Sequence, residues 1–283
     1  MPPEPFEALR RPSSPRRPNM QFSVALLRRI EDELGVTMTE PTVMPESTRG
    51  QVGIIHIRVA DADRAVGFFS QLFGWEADPF RGAYTAHYVV NSSILTVLSD
   101  DPSLPPVLLF FPVSDVAAAV RRAEELGGRV VSSEITDGGG WARVADDQGM
   151  VLGLWRPGDG RRGSPPTREP TGEVGYLTLD MPDTVRGRAF YSEMFGWRFD
   201  ESGTSDGAHV TNTDLPLGIH RTEAAQGVHL FFRVADLDAA AARVRDLGGH
   251  SGEPQVAGAA GSSAECSTDL GDAFTLWQPA PGY

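Results

Sequence analysis

The sequence predicts an α+β protein of two tandem domains, each a pair of βαβββ modules, with a helical extension in front. Internal repetition is what predicts it. Phe68-Phe-Ser-Gln-Leu-Phe-Gly-Trp75 returns as Phe190-Tyr-Ser-Glu-Met-Phe-Gly-Trp197, 122 residues later. Leu108-Leu-Phe-Phe-Pro-Val-Ser-Asp115 is answered by His229-Leu-Phe-Phe-Arg-Val-Ala-Asp236, and Glu125-Leu-Gly-Gly128 by Asp246-Leu-Gly-Gly249. A third pair closes each copy, Gly149-Met-Val-Leu-Gly-Leu-Trp-Arg-Pro157 and Gly271-Asp-Ala-Phe-Thr-Leu-Trp-Gln-Pro279. Landmarks holding an offset of 121 or 122 residues mark two whole domains, because a solenoid repeats more often at a shorter period. A chain of 283 residues fits two domains of about 100–200 residues each.

Residues 1–50 form the extension. Phe22, Leu26, Leu27, Ile30 and Leu34 recur at helical spacing, which predicts an amphipathic helix over 21–35 stopped by Gly35. Its apolar stripe needs a partner, from its own chain or from a second subunit in a homodimer. The first domain, 51–157, opens with the β-type run Val52–Val59. A helix capped by Asp61 or Asp63 follows, running to about Leu72 and stopped by Gly74. Strands are expected near 75–80, 84–90 and 93–99. The second module repeats the course: strand Val107–Val113, helix 115–126 stopped by Gly127-Gly128, and strands near 129–135, 141–145 and 150–155. Residues 158–171, rich in Gly and Pro, read as a linker. Domain two, 172–283, follows suit with strand 174–179, helix 183–195, strands near 197–201, 208–212 and 216–221, then strand 228–234, helix 236–247 and three more strands.

Composition excludes several functions. A net charge of −13 opposes nonspecific attraction to nucleic-acid phosphates, which requires clustered positive charge. All 25 basic residues are arginine, which removes lysine Schiff-base chemistry. Cys266 is the single cysteine, so neither an internal disulfide nor a cysteine-rich zinc site is available, and a reducing compartment is expected. No apolar run approaches the ~18–20 residues of a membrane span, and the N-terminus lacks the apolar stretch of a secretory signal, so a cytoplasmic location is expected.

The two Phe-Gly-Trp helix ends, the Val-x-Asp junctions at 59–61, 113–115 and 234–236, the Leu-Gly-Gly helix stops and the closing Leu-Trp-x-Pro strands together resemble the vicinal oxygen chelate superfamily. That superfamily includes glyoxalase I, fosfomycin-resistance thiol transferases, bleomycin-binding proteins and extradiol dioxygenases. The resemblance covers nearly all of 51–279. It implies that paired modules curl their sheets around a cleft, and that catalytic members hold a divalent ion there with His, Gln and Glu from four strands. Carried over residue by residue, the first-strand position is Ile54 in domain one and Tyr176 in domain two. The fifth-strand position is Leu108 and His229, and the closing-strand glutamate is replaced by Gly153 and Thr275. The fourth strands contain no carboxylate. The resemblance therefore implies the fold without its metal, and neither a metal site nor any other cofactor is expected.

Strand alternation places candidate ligand contacts on the cleft side. His56 lies two residues after Ile54, and Trp155 and Trp277 lie two residues after Gly153 and Thr275. Tyr176, Thr275, His220 and His229 complete the candidate set. An indole suits an aromatic or cationic small molecule, and equally suits closing the end of a sheet. His56 and His229 are the candidate acid–base residues; a cluster of His56, His220 and His229 would need a cleft shared between domains and is not expected. His87 and His209 are expected on the surface or rim, Trp75 and Trp197 as structural pins, and Cys266 as a buried small residue. The expected function is binding of a small organic, aromatic molecule without metal, of the antibiotic-resistance or natural-product kind. The rival is a lyase, isomerase or dioxygenase of the same fold, with an unusual metal set or metal-free histidine chemistry. Deleting residues 1–48 is expected to leave cooperative thermal unfolding of the two domains intact, and loss of that transition would show that the extension is integral.

Overall fold

A computed structural model describes residues 49–81, 84–136, 139–157, 172–200, 206–256 and 260–281. The helix expected over 21–35 and the linker over 158–171 lie outside these residues. The first domain contains β1 (Ile54–Arg58), α1 (Ala62–Phe73), β2 (Ala77–Arg81), β3 (Thr85–Val89), β4 (Leu95–Ser99), β5 (Val107–Pro112), α2 (Val116–Glu125), β6 (Arg129–Thr136), β7 (Gly139–Ala145) and β8 (Val151–Trp155). The second contains β9 (Val174–Met181), α3 (Thr184–Phe195), β10 (Gly207–His209), β11 (Leu217–Arg221), β12 (Gly227–Arg233), α4 (Leu237–Asp246), β13 (His250–Ser251), β14 (Gln255–Val256), β15 (Ser262–Ser267) and β16 (Ala273–Gln278).

The helix boundaries have local causes. Asp61, Asp115, Asp183 and Asp236 each cap a helix, their carboxylates accepting backbone N–H bonds from the first turn. Gly74 and Gly196 end α1 and α3 in the left-handed conformation, at φ of 75° and 72°. Domain one forms one sheet in the order β2-β3-β4-β1-β5-β8-β7-β6. Domain two repeats it as β10-β11-β9-β12-β16-β15-β13, with β14 on β15. In each sheet the two modules join where their first strands run antiparallel, β1 against β5 and β9 against β12. Each cleft-side face is therefore built within one domain, so His56 stands on a different sheet from His220 and His229.

The helix-side faces of the two sheets share a single apolar core. Phe69 and Phe73 of α1 pack on Phe232 and Phe274 of domain two, and Phe195 of α3 stacks on Phe111 of domain one at 4.3 Å between ring centres. Polar contacts repeat this exchange. Trp75 donates its indole N–H to the Gly172 carbonyl, and Trp197 to that of Gly50. Arg64 pairs with Asp269, and Arg186 with Asp147.

Two expectations are corrected. The strand placed near 197–201 contributes one bridge, Phe199 to Val210, with the Asp200 N–H donating to the His209 carbonyl and the Thr211 N–H to the Arg198 carbonyl on either side, and residues 201–205 lie outside the described ones. His87 is neither surface nor rim. It lies opposite Leu98 on the helix side of the sheet, buried beneath α1 with Nε2 2.7 Å from Asp63 Oδ1. Because the core is shared, Phe111→Ala and Phe232→Ala are each expected to cost ~3–5 kcal/mol and to lower one common denaturant transition. Two separated transitions would show that the domains fold independently.

Candidate functional site

Strand alternation and register assign the face opposite the shared core. In domain one it carries Ile54 and His56 of β1, Leu95 and Val97 of β4, Leu108 and Phe110 of β5, Trp141 and Arg143 of β7, and Gly153 and Trp155 of β8. Ile54, Phe110, Gly153 and Arg143 stand in one cross-strand row, while Leu108 stands opposite His56 in the next. This face is closed. Ile54, Phe80, Tyr88, Val97, Leu104, Leu108, Phe110 and Trp141 form a buried cluster, with Tyr84, Leu95, Val151 and Trp155 packed against it. A Cβ at Gly153 would run into the Phe110 ring, and one at Gly53 into the Trp155 indole. The Phe110 ring thus occupies the space at Gly153 where the superfamily resemblance implies a carboxylate.

His56 is only 5% exposed. Burial pushes its imidazole down to about 4, with the Asp101 carboxylate opposing and the Arg143 guanidinium reinforcing the shift. Burial also lowers the Arg143 guanidinium, against the pull of Asp101.

Domain two places different chemistry on the same face. Tyr176, Thr178 and Asp180 of β9 stand beside Gly218 and His220 of β11 on one side, and beside His229 and Phe231 of β12 on the other. Thr275 and Trp277 of β16 follow, then Glu265 and Ser263 of β15, with His209 of β10 at the opposite edge. The side chains of His220 and His229 are 61% and 64% exposed, so this face is open to solvent where its counterpart is sealed. Both imidazoles turn Nδ1 toward Asp180, at 3.6 and 3.4 Å. Tyr176 lies over Gly218, where a Cβ would crowd its hydroxyl, and that hydroxyl is 2.9 Å from His209 Nδ1. Tyr176 also meets the rings of Phe231 and Trp277, at 5.7 and 6.4 Å. Trp277 is buried, its N–H held by the Ala260 carbonyl at 2.8 Å and its ring over Gly175.

Sequence reasoning missed Asp180, because only the register of β9, β11 and β12 shows that two histidines share it. It also missed Phe231, the ring directly opposite Tyr176. Cys266 is buried on the helix side, away from both faces, and burial raises its thiol.

The donor sets do not fit a divalent ion held as the resemblance implies. The carried-over positions Ile54, Leu108 and Gly153 offer no donor, and Tyr176, His229 and Thr275 offer two neutral hydroxyls and a single imidazole, which turns its Nδ1 toward Asp180. Among the described residues, no group of three His, Cys, Asp or Glu side chains is placed to hold a metal.

Comparison with known proteins agrees with the architecture. A family model for the glyoxalase-like domain matches residues 54–154 and 176–273. The Mycobacterium tuberculosis protein named "Putative glyoxylase CFP32" is 27% identical over 258 residues, spanning 83% of this chain and 97% of that protein. The anthracycline biosynthesis protein DauV of Streptomyces sp. strain C5 is 26% identical over 255 residues, spanning 79% and 91%. Among solved structures, the Mn(II)-bound glyoxalase of Novosphingobium aromaticivorans superposes with a TM-score of 0.61 at 14% identity, covering 82% of each chain. Homoprotocatechuate 2,3-dioxygenase of Arthrobacter globiformis gives 0.60 at 15% identity, covering 86% of this chain and 85% of its own. At these identities the structures speak to the fold alone.

The buried His56 has a measurable consequence. Its unfolded counterpart takes up a proton below 6.5, whereas the folded residue stays neutral down to about 4. Stability present above pH 6.5 is therefore lost progressively as pH falls toward 4, by up to about 3 kcal/mol. His56→Leu is expected to flatten that part of the stability–pH profile, and a profile parallel to the parent's would refute the assignment.

Proposed function

The chain belongs to the glyoxalase-like domain family, and on that premise we propose that it binds a small planar aromatic molecule on the open face of domain two, without a family-type metal. The supporting observation is the contrast between the two faces. Domain one fills its own cleft with Phe110 and Trp155, whereas domain two leaves the half-buried Tyr176 and Phe231, backed by the buried Trp277, at a solvent-open surface edged by Asp180, His209, His220 and His229. Aromatic walls supply area and stacking, and the polar edge supplies hydrogen bonds that fix orientation. Thr275 sits between Phe231 and Glu265 in register, within reach of a ligand lying on the wall.

The name of DauV points to a fused-ring aromatic natural product of the anthracycline kind as the ligand class. The 3,4-dihydroxyphenylacetate complex of the Brevibacterium fuscum dioxygenase, a fold neighbour, shows a smaller oxygenated aromatic in that protein. A role in the cytoplasm, in resistance or natural-product biosynthesis, belongs to this reading.

A second reading, metal-free acid–base catalysis at the same face, has its own support. Asp180 is positioned to orient His220 and His229, and the Tyr176 hydroxyl is hydrogen-bonded to His209. His229 stands opposite Thr178, one diagonal step from Tyr176, which puts a base and a hydroxyl acid side by side. Under this reading His229→Ala abolishes turnover of a bound ligand while its affinity stays near the parent's.

The binding test titrates an anthracycline against intrinsic tryptophan fluorescence. Phe231→Ala and Trp277→Ala are each expected to weaken binding by ~1–3 kcal/mol, the scale of one lost aromatic anchor. Trp155→Ala, on the sealed face, should leave affinity unchanged. Parent-like affinity in both domain-two variants, or binding that requires added divalent metal, overturns the proposal.

A further inference from the structure

Each sheet ends in two strands that meet no further strand among the described residues, and the backbone N–H and C=O groups along such an edge are a template for pairing with another chain. Three of the four ends are guarded. β2 carries Pro79 at its centre, with Asp78 beside it. β10 is three residues long. The far end of domain two is broken into β13 and β14, of two residues each, with Pro254 between them. Proline cannot donate to a ladder, and so short a strand offers a partner little to pair with. β6 is the exception. It runs eight residues, Arg129 to Thr136, without a proline. It also carries Val130, Val131 and Ile135 at 37%, 42% and 42% exposure, three of the six exposed large hydrophobic residues among those described. β6 and the β13–β14 pair take the same place in the duplicated fold, so one copy of this edge is blocked and the other is apolar and continuous.

β6 is also complementary to itself. Val130, Ser133 and Ile135 stand opposite Val144, Ala142 and Gly140, on the side of the shared core. Arg129, Ser132, Glu134 and Thr136 stand opposite Ala145, Arg143, Trp141 and Gly139, on the cleft side. Val131 is the extra residue of a bulge between them. When a second β6 is laid antiparallel about Ser133, with both bulge residues left out of the ladder, every opposed pair shares a face. Val130 then meets Ile135 of the partner subunit, and Ile135 meets the partner's Val130. Arg129 stands one diagonal step from the partner's Glu134, close enough for opposite charges to attract. These two are the only charged residues of the strand, so one register satisfies both its charges and its apolar side chains. A slip by one residue would set the valines and isoleucine against the wrong face.

We propose that β6 is an interaction surface for a second copy of this chain, the two strands pairing antiparallel about a twofold axis at Ser133 so that the domain-one sheets continue into each other. The interface is isologous, each strand supplying the same residues to the other. It uses no residue of the open face of domain two, so it stands or falls apart from the binding reading.

Sedimentation velocity of the full-length protein over a concentration series tests it. The parent is expected to dimerise, and Ile135→Lys to raise the dimer dissociation constant at least about tenfold. Val185→Lys, at a residue 67% exposed on α3, should leave the dimer unchanged. Arg129→Glu should weaken the dimer, and combining it with Glu134→Arg should restore it, a rescue that damage to the fold cannot imitate. A parent that stays monomeric, equal weakening by Val185→Lys and Ile135→Lys, or no rescue in the charge-swapped pair overturns the proposal. A dimer that survives Ile135→Lys but is lost on deleting residues 1–48 would belong to the N-terminal extension and overturns it as well.

Discussion

The shared apolar core between the two sheets is the constraint on which the rest of the structure depends. Each domain contributes the helix that follows its first strand to the opposite domain's sheet, so Phe73 rests on Phe232 and Phe195 on Phe111. The exchange is reciprocal, as Trp75 to Gly172 and Trp197 to Gly50 show. Residues of each pair are related by the repeat offset, which makes the interface a pseudo-twofold built from duplicated sequence. Gly50 and Gly172 matter here for two reasons. Both have positive φ, and a side chain at either would collide with the aromatic ring of the other domain.

With the helix sides of both sheets committed to that core, only the opposite faces are free to diverge. They have done so in opposite directions. Domain one converts its face into a second small core, including a histidine whose proton affinity burial has collapsed. Domain two keeps its face open and concentrates three of the six histidines there, two of them around Asp180. A duplicated fold needs two stable domains but not two open faces.

Much of this was legible in the chain. The repeats predicted two domains and four modules, and capping aspartates and terminal glycines located the helices because those effects act within a few residues. Alternation along single strands put His56 beside Ile54, and Trp277 beside Thr275, on one face. The superfamily resemblance supplied the curled sheet and the positions where a metal set would have to be. His87 and His209 show where such reasoning stops. They lie 122 residues apart, the same offset as the Phe-Gly-Trp repeats, yet His87 faces the shared core and His209 the open cleft. By strand pairing the residue equivalent to His209 is Tyr88, because the offset has slipped by one before β10, and a one-residue slip turns every side chain over.

The sequence by itself determined the local terms: which segments are strands, which are helices, where each stops, and that the pattern occurs twice. Those depend on neighbours a few residues away. Whether the Phe110 ring closes a cleft, whether Asp180 stands between two histidines, and whether His56 is stripped of water were decided only by the tertiary structure. Each depends on register between strands distant in the chain and on how a curved sheet brings their side chains together.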